Sequence, residues 1–381
     1  MFTNEPSPAC LLLASPRSRE DNPPPVATAD FSPVALDPAE VKQGNNLVTD
    51  DFLVRTRQER LLFLKELTQA YGMTFQEKTD PVPSIVSFTS RKGIIYTKEG
   101  HAFFAKQKPI YSLENGQHHH AASMQLALAK TLSYVPPIIP TKEGQPYAFV
   151  QNAWYFLTPY IQGDFYMGKI EQSISSARVL GAMHRVARHA LPPAPVSTNF
   201  MEESLKFVDL FAQLDFPDQT LHISLVHQMK QILHSMQATK TGIAGWIHGD
   251  FAPFNLLFQA NTVIAVNDFD NVLYGPLSKD IAECLLTNCG VNYAGVTSSM
   301  RPPIRTTFDL ERAKLMLAAY LEESTFQKEQ LADLPEQSVF SWFELISVGL
   351  LRGDFSLRDV EQAIFFPRVL HQIMHDLLEA A

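Results

Sequence analysis

Two short segments combine residue types that chemistry uses. In His248-Gly249-Asp250-Phe251-Ala252-Pro253-Phe254-Asn255 a carboxylate and a carboxamide stand five positions apart, in a loop between apolar runs. Asp268-Phe269-Asp270 follows, reached through Leu256-Leu257-Phe258, a polar turn over 259–261 and Val263-Ile264-Ala265-Val266. Two apolar runs around a polar turn predict a β-hairpin, and a hairpin returns Asp268 to Asn255. Asn255 and Asp268 could then share a metal ion, with Asp250 beside them as a base or hydroxyl-positioning group. These are requirements of phosphoryl transfer, in which the protein positions the reactants and neutralises phosphate charge. The D-x-x-x-x-N spacing is that of a kinase catalytic loop. Either motif alone reads as a loop turn or a strand-end carboxylate; both in order, with apolar strands between them, favour the chemical reading.

That chemistry also needs a cation for the α- and β-phosphates. Lys106 ends the run Phe103-Phe104-Ala105-Lys106-Gln107-Lys108, and alternation that puts Phe104 and Lys106 on one face favours it over Lys108. Ser90-Arg91-Lys92-Gly93, with one glycine, is a candidate for covering phosphates with backbone amides, helped by Arg91 or Lys92. An ordinary hairpin turn explains it equally well. His118-His119-His120 lacks the i, i+4 spacing of helical metal ligands and reads as a solvated loop before a helix.

The surrounding elements follow from periodicity. Residues 1–48 are rich in Pro, Ser, Asp and Asn, bury too little apolar surface to offset their ordering entropy, and read as a flexible tail. Phe52 to Ala70 recurs at helical spacing and stops at Tyr71-Gly72. The runs 85–88, 94–97 and 101–106 predict a three-stranded antiparallel meander. A helix over 121–132 and strands over 147–150 and 154–157 follow, and the chain crosses to a second lobe through Thr158-Pro159-Tyr160. Beyond it, helices are expected over 171–189, 202–214, 222–238, 309–322, 336–351 and 357–379.

Composition bounds the rest. At 381 residues the chain suits two domains or one bilobal unit, and 45% hydrophobic with 19% charged residues suits a folded globular protein. A formal charge of −9 argues against general binding to nucleic acid or anionic membranes. Cys10, Cys284 and Cys289 form no C-x-x-C pair and read as free thiols of a reducing compartment. The apolar run over 10–14 follows Glu5 without a basic region, so it is a poor signal peptide. With no run of about 18 apolar residues to span a bilayer, the expected location is cytoplasmic.

On His248-Gly249-Asp250 to Asn255 and Asp268-Phe269-Asp270, the chain resembles the aminoglycoside phosphotransferase and choline kinase superfamily, particularly its homoserine-kinase-like and spore-coat-kinase-like branches. Leu180-Gly181-Ala182-Met183-His184 and Asp280-Ile281-Ala282 extend the resemblance over about residues 50–300. It implies an α+β, bilobal protein-kinase-like fold, with a small antiparallel β lobe and a larger mainly helical lobe. The nucleotide-binding lobe would be 49–158 and the catalytic and substrate-binding lobe 159–381.

The resemblance further implies transfer of the γ-phosphoryl group of ATP, or GTP, to a small-molecule hydroxyl with Mg2+. Asp250 would be the catalytic base, and His248, grouped with it as catalytic, would brace the loop. Asn255 and Asp268 would bind magnesium, with Asp270 as a second-metal or supporting residue. Asp280 would cap a helix or tie down the catalytic loop. Lys106 would be the phosphate-binding lysine, whereas the loop of Ser90, Arg91 and Gly93, a nucleotide-binding candidate from the residues alone, is atypical of these families. The lysine's usual Glu partner is missing from 121–132, where only Gln125 is available; a neutral amide can bond an ammonium but supplies no charge. Together with the sparse glycine loop, this motivates an alternative, a nucleotide-binding pseudokinase or scaffold. The absence of D-F-G and A-P-E disfavours a protein kinase. Asp164, Glu171 and Glu283 could bind an amine on the acceptor or be solvated charges.

Overall fold

The computed structural model of the chain describes residues 56–80, 92–108, 117–194, 218–236, 242–291, 308–351 and 366–381, with isolated positions between 205 and 213. The expected tail over 1–48, the expected strand over 85–88, Cys10, Ser90 and Arg91 lie outside the described residues, as does most of the expected helix over 202–214.

Helix α1, Arg57–Tyr71, begins where Thr56 and Glu59 exchange hydrogen bonds between side chain and backbone, which satisfies two amides the helix itself cannot pair. It ends at Gly72, whose φ of 71° is left-handed and whose amide donates to Thr68 O. Its buried face of Phe63, Leu64, Leu67 and Tyr71 packs on a five-stranded sheet. The strands are β1 (Phe75–Asp80), β2 (Lys92–Thr97), β3 (Ala102–Gln107), β4 (Ala148–Val150) and β5 (Ala153–Pro159), in the antiparallel order β1-β2-β3-β5-β4. The expected meander is corrected at its first member, because β2 pairs with β1, which sequence periodicity leaves unassigned. β1 reads Phe-Gln-Glu-Lys-Thr-Asp and buries only Phe75 and Thr79, so it lacks the apolar alternation that marks a strand.

Helix α2, Gln117–Ala129, follows the sheet's first three strands. It takes in His118, His119 and His120, so these belong to a helix's first turn rather than to the expected loop. After β5 the chain crosses over 160–167, where Asp164 N donates to Phe258 O at 2.7 Å and Phe258 N donates to Asp164 O at 2.8 Å. Helix α3, Ile170–Ala190, and helix α4, Gln219–Met236, come next. Two small antiparallel ladders follow: β6 (Ala244–Ile247) pairs with β9 (Leu273–Pro276), and β7 (Leu256–Gln259) with β8 (Thr262–Val266). Helix α5, Leu277–Leu285, continues as a π-helical turn over Leu286–Gly290.

Helices α6 (Leu310–Ser324), α7 (Leu334–Leu351) and α8 (Phe366–Ala380) complete the described fold. Of the helix expected over 357–379, residues 366–379 lie within α8, and 357–365 lie outside the described residues. α3 and α6 lie close at Gly181: a β carbon there would stand 2.8 Å from Tyr320 O and 3.1 Å from Ser324 N.

Two larger apolar cores separate the parts. One joins α1 to the five-stranded sheet through Leu67, Phe75, Ile95, Ala105, Tyr155 and Leu157. The other joins the helices to the small ladders through residues such as Met183, Phe251, Phe258, Phe269, Leu317 and Trp342. The class is α+β and bilobal, a small antiparallel sheet lobe beside a larger, mainly helical one. Among the described residues no helix is long and apolar enough to cross a membrane.

Candidate active site

The Asp250 loop leaves β6 through His248 and Gly249. Gly249 has φ 77°, and a β carbon on it would fall 2.2 Å from Asn271 O, so only glycine fits. The loop backbone is held by one carboxylate. Asp280 on α5 accepts His248 N at 2.6 Å through Oδ2 and Gly249 N at 2.8 Å through Oδ1. His184 on α3 places Nε2 3.1 Å from Asp280 Oδ2 and Nδ1 2.9 Å from the Tyr320 hydroxyl of α6. Both ring nitrogens of His184 are thereby engaged. Burial alone would raise the Asp280 carboxyl, but the His184 hydrogen bond, the histidines and the Gly249 amide hold it below the ordinary carboxylate range.

His248 itself is buried, with its ring against Phe251 and Phe269 and Nε2 3.0 Å from Asn267 O. Nε2 therefore donates to that carbonyl. These contacts fasten the Asp250 loop to the Asp268 loop.

Asn255 closes a 3-10 turn, Pro253–Asn255, directly before β7. Its Nδ2 donates to Asp250 O at 2.8 Å and to Asp250 Oδ2 at 2.9 Å, which fixes the carboxylate's direction and leaves Asn255 Oδ1 for another partner. The β7–β8 hairpin forms as expected, with Leu256 opposite Val266. Asn267 N then donates to Asn255 O at 2.8 Å, so the two motifs meet at the base of the hairpin. Asp268 follows with φ 66°, a left-handed conformation rare for a residue with a β carbon and common where function fixes the backbone.

Lys106 comes from β3 into this cluster. Its Nζ lies 2.7 Å from Asp268 Oδ1 and 2.7 Å from Asp270 Oδ2. Burial would lower the Lys106 ammonium, yet the two carboxylates win and hold it above the ordinary lysine range. Alternation does not separate the lysines, because positions 106 and 108 share a strand face. Lys108 Nζ lies 2.5 Å from Asp270 Oδ1 and is also buried. Asp270, which burial would raise, is held well below the usual range by Lys106 first and Lys108 next. Each Asp270 carboxylate oxygen thus rests on a buried ammonium, which matches the supporting half of its expected role more closely than the second-metal half.

Gln125 and Gly93, two nucleotide-binding candidates, are engaged within the fold. Gln125 Nε2 donates to Pro136 O at 2.8 Å, and the acidic partners of Lys106 are the two aspartates. Gly93 is buried inside β2 opposite Ala105, so it is not a turn glycine. The sequence missed Lys108 as a member of the cluster, and its i, i+2 relation to Lys106 was the available signal.

Magnesium suits the donor set that remains. Asn255 Oδ1 is turned from its amide's bonds, and Asp268 Oδ2 meets no partner among the described residues; both are hard oxygen donors of the kind that share Mg2+ with substrate phosphates. Among the described residues no three His, Cys, Asp or Glu side chains gather around a possible metal position. Asp164 and Glu171 are exposed. Glu283 is half-buried, its Oε2 has no partner among the described residues, and burial, with Asp250 and Glu344 nearby, pushes its carboxyl well above the usual range against the pull of Lys279. Cys284 and Cys289 are buried free thiols.

Known structures share this architecture. An amicoumacin kinase in complex with AMP-PNP and Ca2+ is 14% identical, with a TM-score of 0.60 over 84% of this chain and 95% of that one. A microcompartment-associated aminopropanol kinase is 14% identical, with a TM-score of 0.59 over 81% of this chain and 94% of that one. Choline kinase from Cryptosporidium parvum is 13% identical, with a TM-score of 0.53 over 79% and 90%. At such identities the likeness establishes the fold. No curated protein matches the chain in sequence. The profile of the phosphotransferase enzyme family matches residues 97–324, more than half of the chain and the whole stretch from β3 through Asp280, and the chain belongs to that family.

Proposed function

We propose that the protein transfers the γ-phosphoryl group of ATP, or GTP, to a hydroxyl of a small molecule, with the nucleotide held on the side of residues 49–158 and the acceptor on the side of 159–381. The observation that carries this reading is the meeting of three separate segments. Asp250 is oriented by Asn255 at 2.9 Å, Asn255 is bonded through Asn267 to the start of the Asp268 loop, and Lys106 spans to Asp268 at 2.7 Å. Family membership and the kinases among the structural neighbours support the same chemistry.

In this reading Asp250 accepts the acceptor's hydroxyl proton as its oxygen bonds to the γ-phosphorus. The bond from that phosphorus to the β–γ bridging oxygen breaks, and the nucleoside diphosphate leaves with the bond's electron pair. Asn255 holds the Asp250 carboxylate in one direction throughout. Lys106 offers its ammonium to the α- and β-phosphates. Asn255 Oδ1 and Asp268 would hold magnesium, which supplies positive charge against the phosphate oxygens. Asp280 and His184 keep the loop backbone in place.

The pseudokinase alternative drew on Gln125, but Asp270 supplies the carboxylate that Gln125 does not. ATP consumption by the full chain, with Mg2+ and a panel of amino alcohols, sugars and hydroxylated antibiotics, tests the proposal. Consumption that depends on one acceptor class and is lost in Asp250→Asn supports it. Nucleotide binding without turnover on any acceptor favours the scaffold.

A further inference from the structure

The pair of lysines on one strand face is more than a phosphate site needs. Lys106 and Lys108 both project from the end of β3 onto a single carboxylate, Asp270, at 2.7 Å and 2.5 Å. Asp270 is only 5% exposed, Lys106 6% and Lys108 2%. Lys108 is enclosed by aromatic faces, its Nζ 4.6 Å from the centre of the Phe156 ring and 5.3 Å from that of Tyr147. Its backbone amide is fixed to Trp154 O at 2.8 Å. Lys108 therefore sits behind the cluster, while the Asp268 side chain, 37% exposed, lies at its open edge.

We infer that Asp270 is the acidic anchor of Lys106, and that Lys108 is a positioning residue that holds Asp270 in that role. This rests on Lys106 being the nucleotide-binding lysine. A lysine facing phosphates needs a fixed counter-charge that points its ammonium without consuming it. Asp268 cannot serve alone, because in the proposed reaction its carboxylate is also the metal ligand. Asp270 presents two oxygens. Lys108 occupies Oδ1 and turns Oδ2 toward Lys106.

Charge favours the same division. Two ammonium groups and two carboxylates balance, so the cluster does not repel an incoming polyphosphate. Without Lys108 it would carry an excess carboxylate directly beneath the lysine that must attract phosphate. The anchor thus comes from the metal-binding loop rather than from α2, whose Gln125 is committed to Pro136. Lys106 and Asp268 are in consequence set by one three-residue turn.

The test is equilibrium binding of Mg2+–ATP to the full chain without acceptor, followed by steady-state kinetics. Lys108→Met should weaken nucleotide binding and raise KM for ATP by about tenfold, the scale of one lost charge-assisted contact. The acceptor's KM, read at saturating ATP, should stay near that of the unaltered chain. Should Lys108→Met fail to fold because it strands a buried carboxylate, the double variant Lys108→Met/Asp270→Asn removes both charges and decides the matter. The inference expects that variant to fold and still bind nucleotide about tenfold more weakly, since Lys106 has lost its anchor.

Unaltered nucleotide affinity in a folded Lys108→Met chain, or in the double variant, would overturn the inference and leave Lys108 a core residue. A parent chain that binds no nucleotide overturns it too. A parent chain that binds nucleotide but phosphorylates no acceptor defeats the phosphotransferase reading alone, because the anchor is judged on binding.

Discussion

Gly249 and Asp250 set the finest scale of the site. Any side chain at Gly249 meets Asn271 O, so Gly249→Ala should cost about 1–3 kcal/mol of stability, the range of a residue forced into a strained conformation, and displace Asp250. Thermal unfolding reads the first effect and turnover the second. Asp250→Asn should lower kcat by about a hundred- to ten-thousand-fold, the usual contribution of a positioned base, while nucleotide affinity stays close to that of the parent chain. At this scale the sequence was most legible where chemistry restricts residue type, as at Asp250, Asn255 and Asp268. It was less legible at Asp270, Gln125 and Lys108. Which carboxylate pairs with which ammonium depends on packing of β3 against a loop far along the chain, and no local spacing encodes that.

Helix α5 acts through one residue, Asp280, which joins α3 and α6 to the backbone of the Asp250 loop. Its folded-state carboxyl lies below the ordinary range, so the unfolded chain binds this proton more readily. The stability it contributes is present above the unfolded value of about 3.9 and is lost as pH falls through the lower folded value. Melting profiles between neutral and strongly acidic pH should show Asp280→Asn less stable at neutral pH and less sensitive to acid than the parent; an unchanged acid slope would remove Asp280 from this account. At Gly181, where α3 touches the α6 backbone, Gly181→Val should destabilise by about 1–3 kcal/mol through overpacking, measured by denaturant unfolding. Helices with a clear apolar face, and the β7–β8 hairpin with its polar turn, could be read in advance. β1 could not, because an edge strand that buries two of its six residues shows little periodicity.

Over the whole molecule, two apolar cores meet across a charged cluster formed from β3 on one side and the Asp268 loop on the other. On the proposed reading a nucleotide seated there would bridge both parts, so saturating Mg2+–ATP should raise the midpoint of thermal unfolding, by about 2.7 kcal/mol of stabilisation at a hundred times Kd. Asp268→Asn should reduce that magnesium-dependent gain. The bilobal α+β class was legible from the change in periodicity after Tyr160, since strand-like runs give way there to helical ones. The acceptor was not, because side chains such as Glu283 gain their character from burial and neighbours rather than from spacing. The most direct test of the central claim is mass spectrometry of an acceptor panel incubated with the chain, ATP and Mg2+. The account predicts that one hydroxyl-bearing class gains the mass of one phosphate with the parent chain and not with Asp250→Asn; a mass gain that persists undiminished in Asp250→Asn, or none on any acceptor by a nucleotide-saturated parent chain, would contradict it.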